Sequence, residues 1–268
     1  MSNSNILTQH HLFSEKLSKP LSILGVIPAR YASSRLPGKP LLDVAGKSMI
    51  QRVYEQVLQV KAFTKIVVAT DDNRIFEHVS LFGGDVFMTA ESHESGTDRC
   101  AEVSKKCAGF DVVINIQGDE PFINPSQIET LITCFDKPTT QIATLVKKIN
   151  KFEDLMNVNM PKVVLNVFGE AIYFSRSTIP YYRGVSEIDW LTGHDYYKHI
   201  GIYGYRTEIL NEITTLPVSR LEQVEALEQL RWLENGYKIQ TAITDIETRA
   251  VDTQADLEAL LANLNNGC

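Results

Sequence analysis

Cysteine is scarce in this chain and follows no pattern. The four present, Cys100, Cys107, Cys134 and Cys268, show no CxxC spacing and have no histidine at metal-ligand distance. That argues against a disulfide scaffold and a zinc ribbon, and reads as reduced thiols of a cytoplasmic protein. Positive charge is also in deficit: 26 Lys and Arg against 33 Asp and Glu leave a net charge of −7 over 268 residues, so no extended basic face is offered to nucleic acid. No apolar run is long enough for a bilayer span. Residues 1–21 lack the continuous apolar core of a signal peptide and are expected to be a disordered or loosely docked extension. A last absence concerns glycine. The first strand-like run, Ile23–Ile27, does not lead into GxGxxG, and this removes the main support for a dinucleotide-dependent dehydrogenase.

That run leads instead into PARYASSRLPGKP, from Pro28 to Pro40. The segment places Arg30, Arg35 and Lys39 in a loop rich in Gly, Ser and Pro at the end of a strand. Loop cations contribute little to stability unless something polyanionic sits among them. In a chain with excess negative charge, a local cationic cluster where an open α/β sheet binds its ligand points to a phosphate chain, although a solvated basic loop is the plain alternative. Arg offers bidentate contacts to phosphate and Lys a point charge.

Strand-like and helix-like segments alternate through the first half. Ser48–Val60 carries Met49, Ile50, Val53, Val57 and Val60 at helical spacing, and Lys65–Thr70 is a strand. A helix over Asn73–Phe82 stops at Gly83-Gly84, Asp85–Thr89 is a third strand, and another helix begins near Gly96. Asp111–Gln117 is a nearly all-apolar strand that breaks into Gly118-Asp119-Glu120-Pro121. Such alternation predicts right-handed crossovers and a mainly parallel sheet covered on both faces, an α/β nucleotide-binding domain.

After residue 140 the rhythm turns strand-rich. Gln141–Ile149, Lys162–Ser175 with a hairpin at Phe168-Gly169-Glu170, and His199–Arg206 read as strands. Ser219 and Glu222 form a capping box for a helix predicted to run through Asn235 and close at Gly236; Tyr237–Ile243 is a strand and Thr253–Leu264 a helix. With no linker or repeat visible, residues 22–268 are expected to form one domain, with a smaller subdomain largely within about 150–215.

Asp119 stands in a turn beyond a strand, at the same sheet edge as the cationic loop. It is either a turn residue chosen for local hydrogen bonds or a ligand for the divalent ion that a nucleoside triphosphate requires. Asp252, before the last helix, is either a second such carboxylate or part of an ordinary helix start with Asp252 or Thr253 as the N-cap. In the helix over 219–235, Glu228 falls between Leu221 and Val224 and Glu225 beside Trp232, so carboxylates interrupt a face that should be buried. Glu225, Glu228 and Gln229 are therefore candidates for binding hydroxyls, or for a structural ion pair with an Arg.

The chain resembles the 3-deoxy-manno-octulosonate cytidylyltransferases over about residues 22–264. The blocks that carry the likeness occur in order: PARYASSRLPGKP, MTAESHESGTDR (88–99), NIQGDEP (115–121), AIYFSR (171–176), KHIGIYGYR (198–206), EALEQLR (225–231) and VDT (251–253). The resemblance implies a mainly parallel sheet of nucleotide-diphospho-sugar transferase type with a smaller strand-rich dimerisation subdomain. It implies a cytoplasmic homodimer that transfers CMP from CTP to 3-deoxy-manno-octulosonate (Kdo) with Mg²⁺, releasing pyrophosphate, for lipopolysaccharide synthesis. Carried onto this sequence, Pro28, Ala29, Arg30, Arg35, Lys39, Ser95, Gly96, Thr97, Arg99 and Asp119 would bind nucleotide. Gln117, Arg176, His199, Tyr203, Glu225, Glu228 and Gln229 would bind the sugar acid. Asp119 and Asp252 would hold Mg²⁺, and Arg30, Lys39, Asp119 and Asp252 would form the catalytic set. Plainer roles stay open: a helix cap for Ser95, Gly96 and Thr97, and satisfied strand residues for His199 and Tyr203. Ala250 and Gln254-Ala255 depart from the family pattern of Gly and Pro-Glu around Asp252, which puts the backbone path there in question but leaves the carboxylate in place.

Overall fold

The computed structural model describes residues 20–32 and 36–265. Arg35, Cys268 and residues 1–19 lie outside them, so the expectations placed on Arg35, on Cys268 and on nearly all of the extension have no structural counterpart. Among the described residues the strands are β1 (Ile23–Ala29), β2 (Asp43–Val44), β3 (Lys47–Ser48), β4 (Lys65–Thr70), β5 (Val86–Met88), β6 (Val112–Asn115), β7 (Ile142–Lys148), β8 (Lys162–Leu165), β9 (Ala171–Ser175), β10 (Tyr197–Arg206) and β11 (Ile239–Ile243). The helices are α1 (Met49–Val57), α2 (Asn73–Leu81), α3 (Gly96–Lys106), α4 (Pro125–Thr133), α5 (Phe152–Met156), α6 (Trp190–Gly193), α7 (Thr207–Ile213), α8 (Arg220–Glu225), α9 (Gln229–Glu234) and α10 (Gln254–Asn265).

The main sheet runs β11-β7-β10-β6-β1-β4-β5, with β8 paired to β10 and β9 to β8. β1 pairs in parallel with β4 and β6, β4 with β5, and β11 with β7. Only β10 breaks the sense of the seven, antiparallel to β6 on one side and β7 on the other. The mainly parallel α/β sheet expected from alternation is therefore present. β1 shows why it needs cover on both faces: Ile23, Ile27 and Ala29 enter one apolar cluster, Leu24 and Val26 the other. Side chains alternate along a strand, so a run apolar at every position fits only between two layers of helices. Burying each Ile, Leu or Val fully contributes roughly 1.5–3 kcal/mol.

Within the span expected to hold most of the smaller subdomain, about 150–215, β10 sits in the middle of the main sheet; among the described residues the strands outside the main seven are the β8–β9 hairpin and the short β2–β3 pair. The pattern of Tyr197–Arg206 identifies a strand but cannot name its neighbours. One expectation is corrected: the continuous helix over 219–235 is interrupted. Ser219 and Glu222 do form the capping box, but α8 ends at Glu225, and Ala226 turns to φ 49°, ψ 51° before α9 begins. The cause is tertiary: the Arg176 guanidinium donates from Nε to the Glu225 carbonyl at 2.6 Å and from Nη2 to the Ala226 carbonyl at 3.1 Å. Those bonds satisfy carbonyls that a continuing helix would have bonded internally.

Candidate active site

A cleft of about 470 Å³ opens beyond the carboxyl ends of β1 and β6, lined by Pro28, Ala29, Arg30, Ala32, Lys39, Pro40, Gly96, Arg99, Gln117, Gly118, Asp119 and Asp252. Parallel pairing of β1 with β6 brings the two strand ends, and so the two sequence motifs, side by side. The approach is close: a Cβ on Gly118 would lie 2.6 Å from the Pro28 carbonyl oxygen, so this position excludes any side chain.

Lys39 begins a short 3₁₀ turn after Gly38, whose φ is 70°. Its Nζ lies 2.7 Å from Asp119 Oδ2 and 3.0 Å from Asp252 Oδ1. Thus one ammonium lies between the two carboxylates singled out in the sequence. Asp252 is delivered by a strap running from the end of β11 to α10. The Thr244 amide donates to the Val146 carbonyl, Gln127 Nε2 to the Ile246 carbonyl at 3.2 Å, the Thr248 hydroxyl to Glu120, and the Val251 amide to the Asp119 carbonyl at 2.9 Å. Burial pushes the Glu120 carboxyl up to about 7, with the Asp119 charge adding to the rise and the Thr248 bond opposing it. Thr253, not Asp252, caps α10: Thr253 Oγ1 accepts from the Asp256 amide at 3.2 Å while Asp256 Oδ2 accepts from the Thr253 amide at 2.8 Å. The Asp252 carboxylate is directed to Lys39 in place of capping.

Beside this cleft stands a polar wall built from α3, β6, β10 and the α8–α9 corner. Ser95 caps α3 and makes a capping box with Asp98. Thr97 donates to Glu228 Oε2 at 2.8 Å, and burial raises the Glu228 carboxyl above its usual range. Asn115 Oδ1, Tyr203 OH and Gln229 Nε2 are buried with no hydrogen-bond partner among the described residues. Buried polar atoms are nearly always paired, so three such atoms on one wall mark capacity for a polar guest. Gln117 Nε2 donates to the Gly201 carbonyl at 2.8 Å, where the pairing of β10 with β7 shifts register between Ile200 and Tyr203. His199 lies against Phe174 and Tyr203 with Nε2 3.0 Å from Thr144 Oγ1, and burial pushes its imidazole down to about 4.

The expected site residues thus fall into three groups. Pro28, Ala29, Arg30, Lys39, Gly96, Arg99, Gln117, Asp119 and Asp252 line the cleft; Ser95, Thr97, His199, Tyr203, Glu228 and Gln229 belong to the adjoining wall or support it. Arg176 and Glu225 bond chiefly to each other's neighbourhood: Glu225 accepts from the Ser175 hydroxyl at 2.6 Å and from the Arg176 amide at 2.9 Å. Arg99 is 1% exposed, paired with Asp71 and donating to Thr89 Oγ1 at 2.6 Å, so its charge is largely neutralised within the protein. Sequence reasoning missed Asp71 and Thr89, which hold Arg99, and the Glu120, Gln127 and Thr248 tethers of the strap. Only Asp71 left a readable signal, an Asp just beyond the end of β4.

A family model for cytidylyltransferases matches residues 24–239, and the chain belongs to that family. A 3-deoxy-manno-octulosonate cytidylyltransferase from Parabacteroides distasonis is 58% identical over 251 residues, which cover 92% of this chain and 99% of that one. Its counterpart from Bacteroides thetaiotaomicron is 59% identical over 242 residues, covering 89% and 96%. The branch of the family in which this chain falls is accordingly that of the 3-deoxy-manno-octulosonate cytidylyltransferases. Among solved structures, a CMP:2-keto-3-deoxy-manno-octonic acid synthetase complexed with CTP superposes with a TM-score of 0.85 at 46% identity, covering 92% of this chain and 100% of that one. A 4-diphosphocytidyl-2C-methyl-D-erythritol synthase from Anaerococcus prevotii, 12% identical, shares the fold with a TM-score of 0.58. Among the described residues no helix is long and apolar enough to cross a membrane.

Proposed function

We propose that this chain transfers CMP from CTP to Kdo, giving CMP-Kdo and pyrophosphate for lipopolysaccharide synthesis. The observation that carries the reading is the convergence of Lys39, Asp119 and Asp252 at the mouth of β1 and β6. Arg30, Arg35 and Lys39 bind the triphosphate and offset charge as pyrophosphate departs. Pro28, Ala29, Ser95, Gly96, Thr97 and Arg99 frame the cytidine, while Gln117, Arg176, His199, Tyr203, Glu225, Glu228 and Gln229 serve the sugar acid directly or hold the residues that do.

The anomeric hydroxyl oxygen of Kdo attacks the α-phosphorus in line as the bond to the bridging oxygen breaks. Alignment and charge stabilisation supply the rate, and no covalent enzyme intermediate is required. The donor set fits a divalent cation: two carboxylates already share one positive charge, and among the described residues no cluster of three His, Cys, Asp or Glu side chains forms a self-sufficient metal site. That suits Mg²⁺, which is typically held by one or two carboxylates with phosphate oxygens and water. When bound by Asp119 and Asp252 it would neutralise phosphate charge and make the attacking hydroxyl easier to deprotonate.

A homodimer is proposed on the β8–β9 hairpin, where Val167, Phe168 and Ile172 stand exposed. The test of the activity is pyrophosphate release with Mg²⁺, CTP or UTP, and a panel of acid sugars including Kdo, 8-amino-Kdo and a sialic acid. CTP with Kdo is expected to turn over well ahead of UTP with Kdo, because a site built around one exocyclic group leaves buried partners unpaired when that group changes. Comparable rates with both nucleotides would sink the assignment, and preference for another acid sugar would reassign the acceptor.

A further inference from the structure

We propose that Lys39 and a divalent cation exchange places between Asp119 and Asp252, so that metal and triphosphate enter the site as a pair. The proposal rests on the metal role given above to these two carboxylates and goes on to say how their own lysine controls it. The Lys39 side chain is only 14% exposed and its ammonium lies within hydrogen-bond distance of both carboxylates at once. Its backbone is fixed, with the amide bonded to the Leu36 carbonyl and Pro40 next to it in the 3₁₀ turn. The head group rides on a flexible four-carbon stem, so it can leave while the turn stays.

Charge decides the rest. Replacing the ammonium between the two carboxylates by a divalent cation adds one positive charge to the site. An ammonium left beside that cation would be repelled at short range, in a cleft that already holds Arg30. Lys39 therefore leaves far more readily when a polyanion receives it, so that a cation arriving alone settles only at high concentration, and the nucleotide triphosphate is that polyanion. By linkage the dependence is mutual: triphosphate tightens metal, and metal tightens triphosphate by the same factor. In the resting protein Lys39 offsets the charge of Asp119 and Asp252 and competes with metal that arrives alone.

The test is Mn²⁺ binding to nucleotide-free protein, monitored by the electron paramagnetic resonance signal of the free ion, with thermal melts to confirm folding. Lys39→Met and Lys39→Gln should each bind Mn²⁺ at least about tenfold more tightly than the native protein, and adding Asp252→Asn should abolish the gain. On the native protein, saturating Mn²⁺ should raise the rate at which an amine-acetylating reagent labels Lys39, read by mass spectrometry. Equal Mn²⁺ affinity in native and folded Lys39 variants, all lost with Asp252→Asn, would overturn the exchange and leave the metal reading standing. Mn²⁺ binding that ignores Asp252→Asn would overturn both. An unchanged Lys39 labelling rate would overturn the exchange whether or not the variants fold.

Discussion

Asp119 and Asp252 reach one ammonium from a turn after β6 and from a strap before α10, and this convergence makes them separable from the fold. Asp119→Ala and Asp252→Ala are each expected to cut turnover roughly 10³-fold or more, the scale of several kcal/mol of lost transition-state stabilisation. The double variant should be little worse than either single one, because groups that act as a unit are not additive. Initial-rate assays with melting curves check both statements; a fully active Asp252→Ala protein would leave the metal to Asp119 alone. His199 supplies a pH prediction. Burial holds its pKa near 4 in the folded protein, below the ordinary value of about 6.5. As pH falls from about 6.5 to about 4 the unfolded chain takes up a proton that the folded one refuses, so stability present above this window is progressively lost within it. Denaturant melts across the window should show a shallower loss for His199→Gln than for the native protein. Lys39 and Asp119 were legible in the sequence because charge in a loop beyond a strand end calls for a ligand, and Asp252 because a carboxylate stands just before the last helix. The employment of Arg99 and Arg176 was not, because Asp71 and the Glu225 and Ala226 carbonyls become their partners only through packing.

At the scale of elements, the corner between α8 and α9 is the most exposed to substitution. Ala226 holds φ 49° without being glycine, and a β-branched side chain there is strained by roughly 1–3 kcal/mol. Ala226→Val should lower the unfolding free energy by that order. It should also raise the KM for the sugar acid more than that for CTP, since Glu225 and Glu228 flank the corner. Equal effects on both KM values would show that the corner serves stability alone. The sequence made α1, the start of α3 and the capping box of α8 readable, because their signals are local: periodic apolar residues, and an oxygen placed to meet an orphan amide. α4 carried the same kind of signal, Asn124 as cap with Pro125 in the first turn, and passed unread. The break at Ala226 had no local signal at all. Helical spacing continues across it, and an arginine 50 residues away in the chain imposes the turn.

On the scale of the whole molecule, the β8–β9 hairpin tests the proposed assembly. Phe168 is 73% exposed and Val167 94%, a large apolar surface for a hairpin tip. Phe168→Glu should move the protein from dimer to monomer in sedimentation velocity while leaving the far-ultraviolet circular dichroism unchanged. A native protein that sediments as a monomer would remove the dimer from consideration.

The place of β10 also governs how the molecule can be made. Among the described residues β7 has as its sheet neighbours only β10 and β11, both later in the chain, so during synthesis Ile142–Lys148 emerges with no strand to receive it. The β5-β4-β1-β6 half can form from the ribosome early, but it waits with β6 as an open edge until Tyr197–Arg206 arrives. Such long-range pairing is slow to close and exposes apolar edges meanwhile. The strap with Asp252 is fastened later still, after β11 has docked on β7. A chain released early would therefore carry the cationic loop and Asp119 yet lack the second carboxylate of the proposed metal site, and is expected to turn over no CTP.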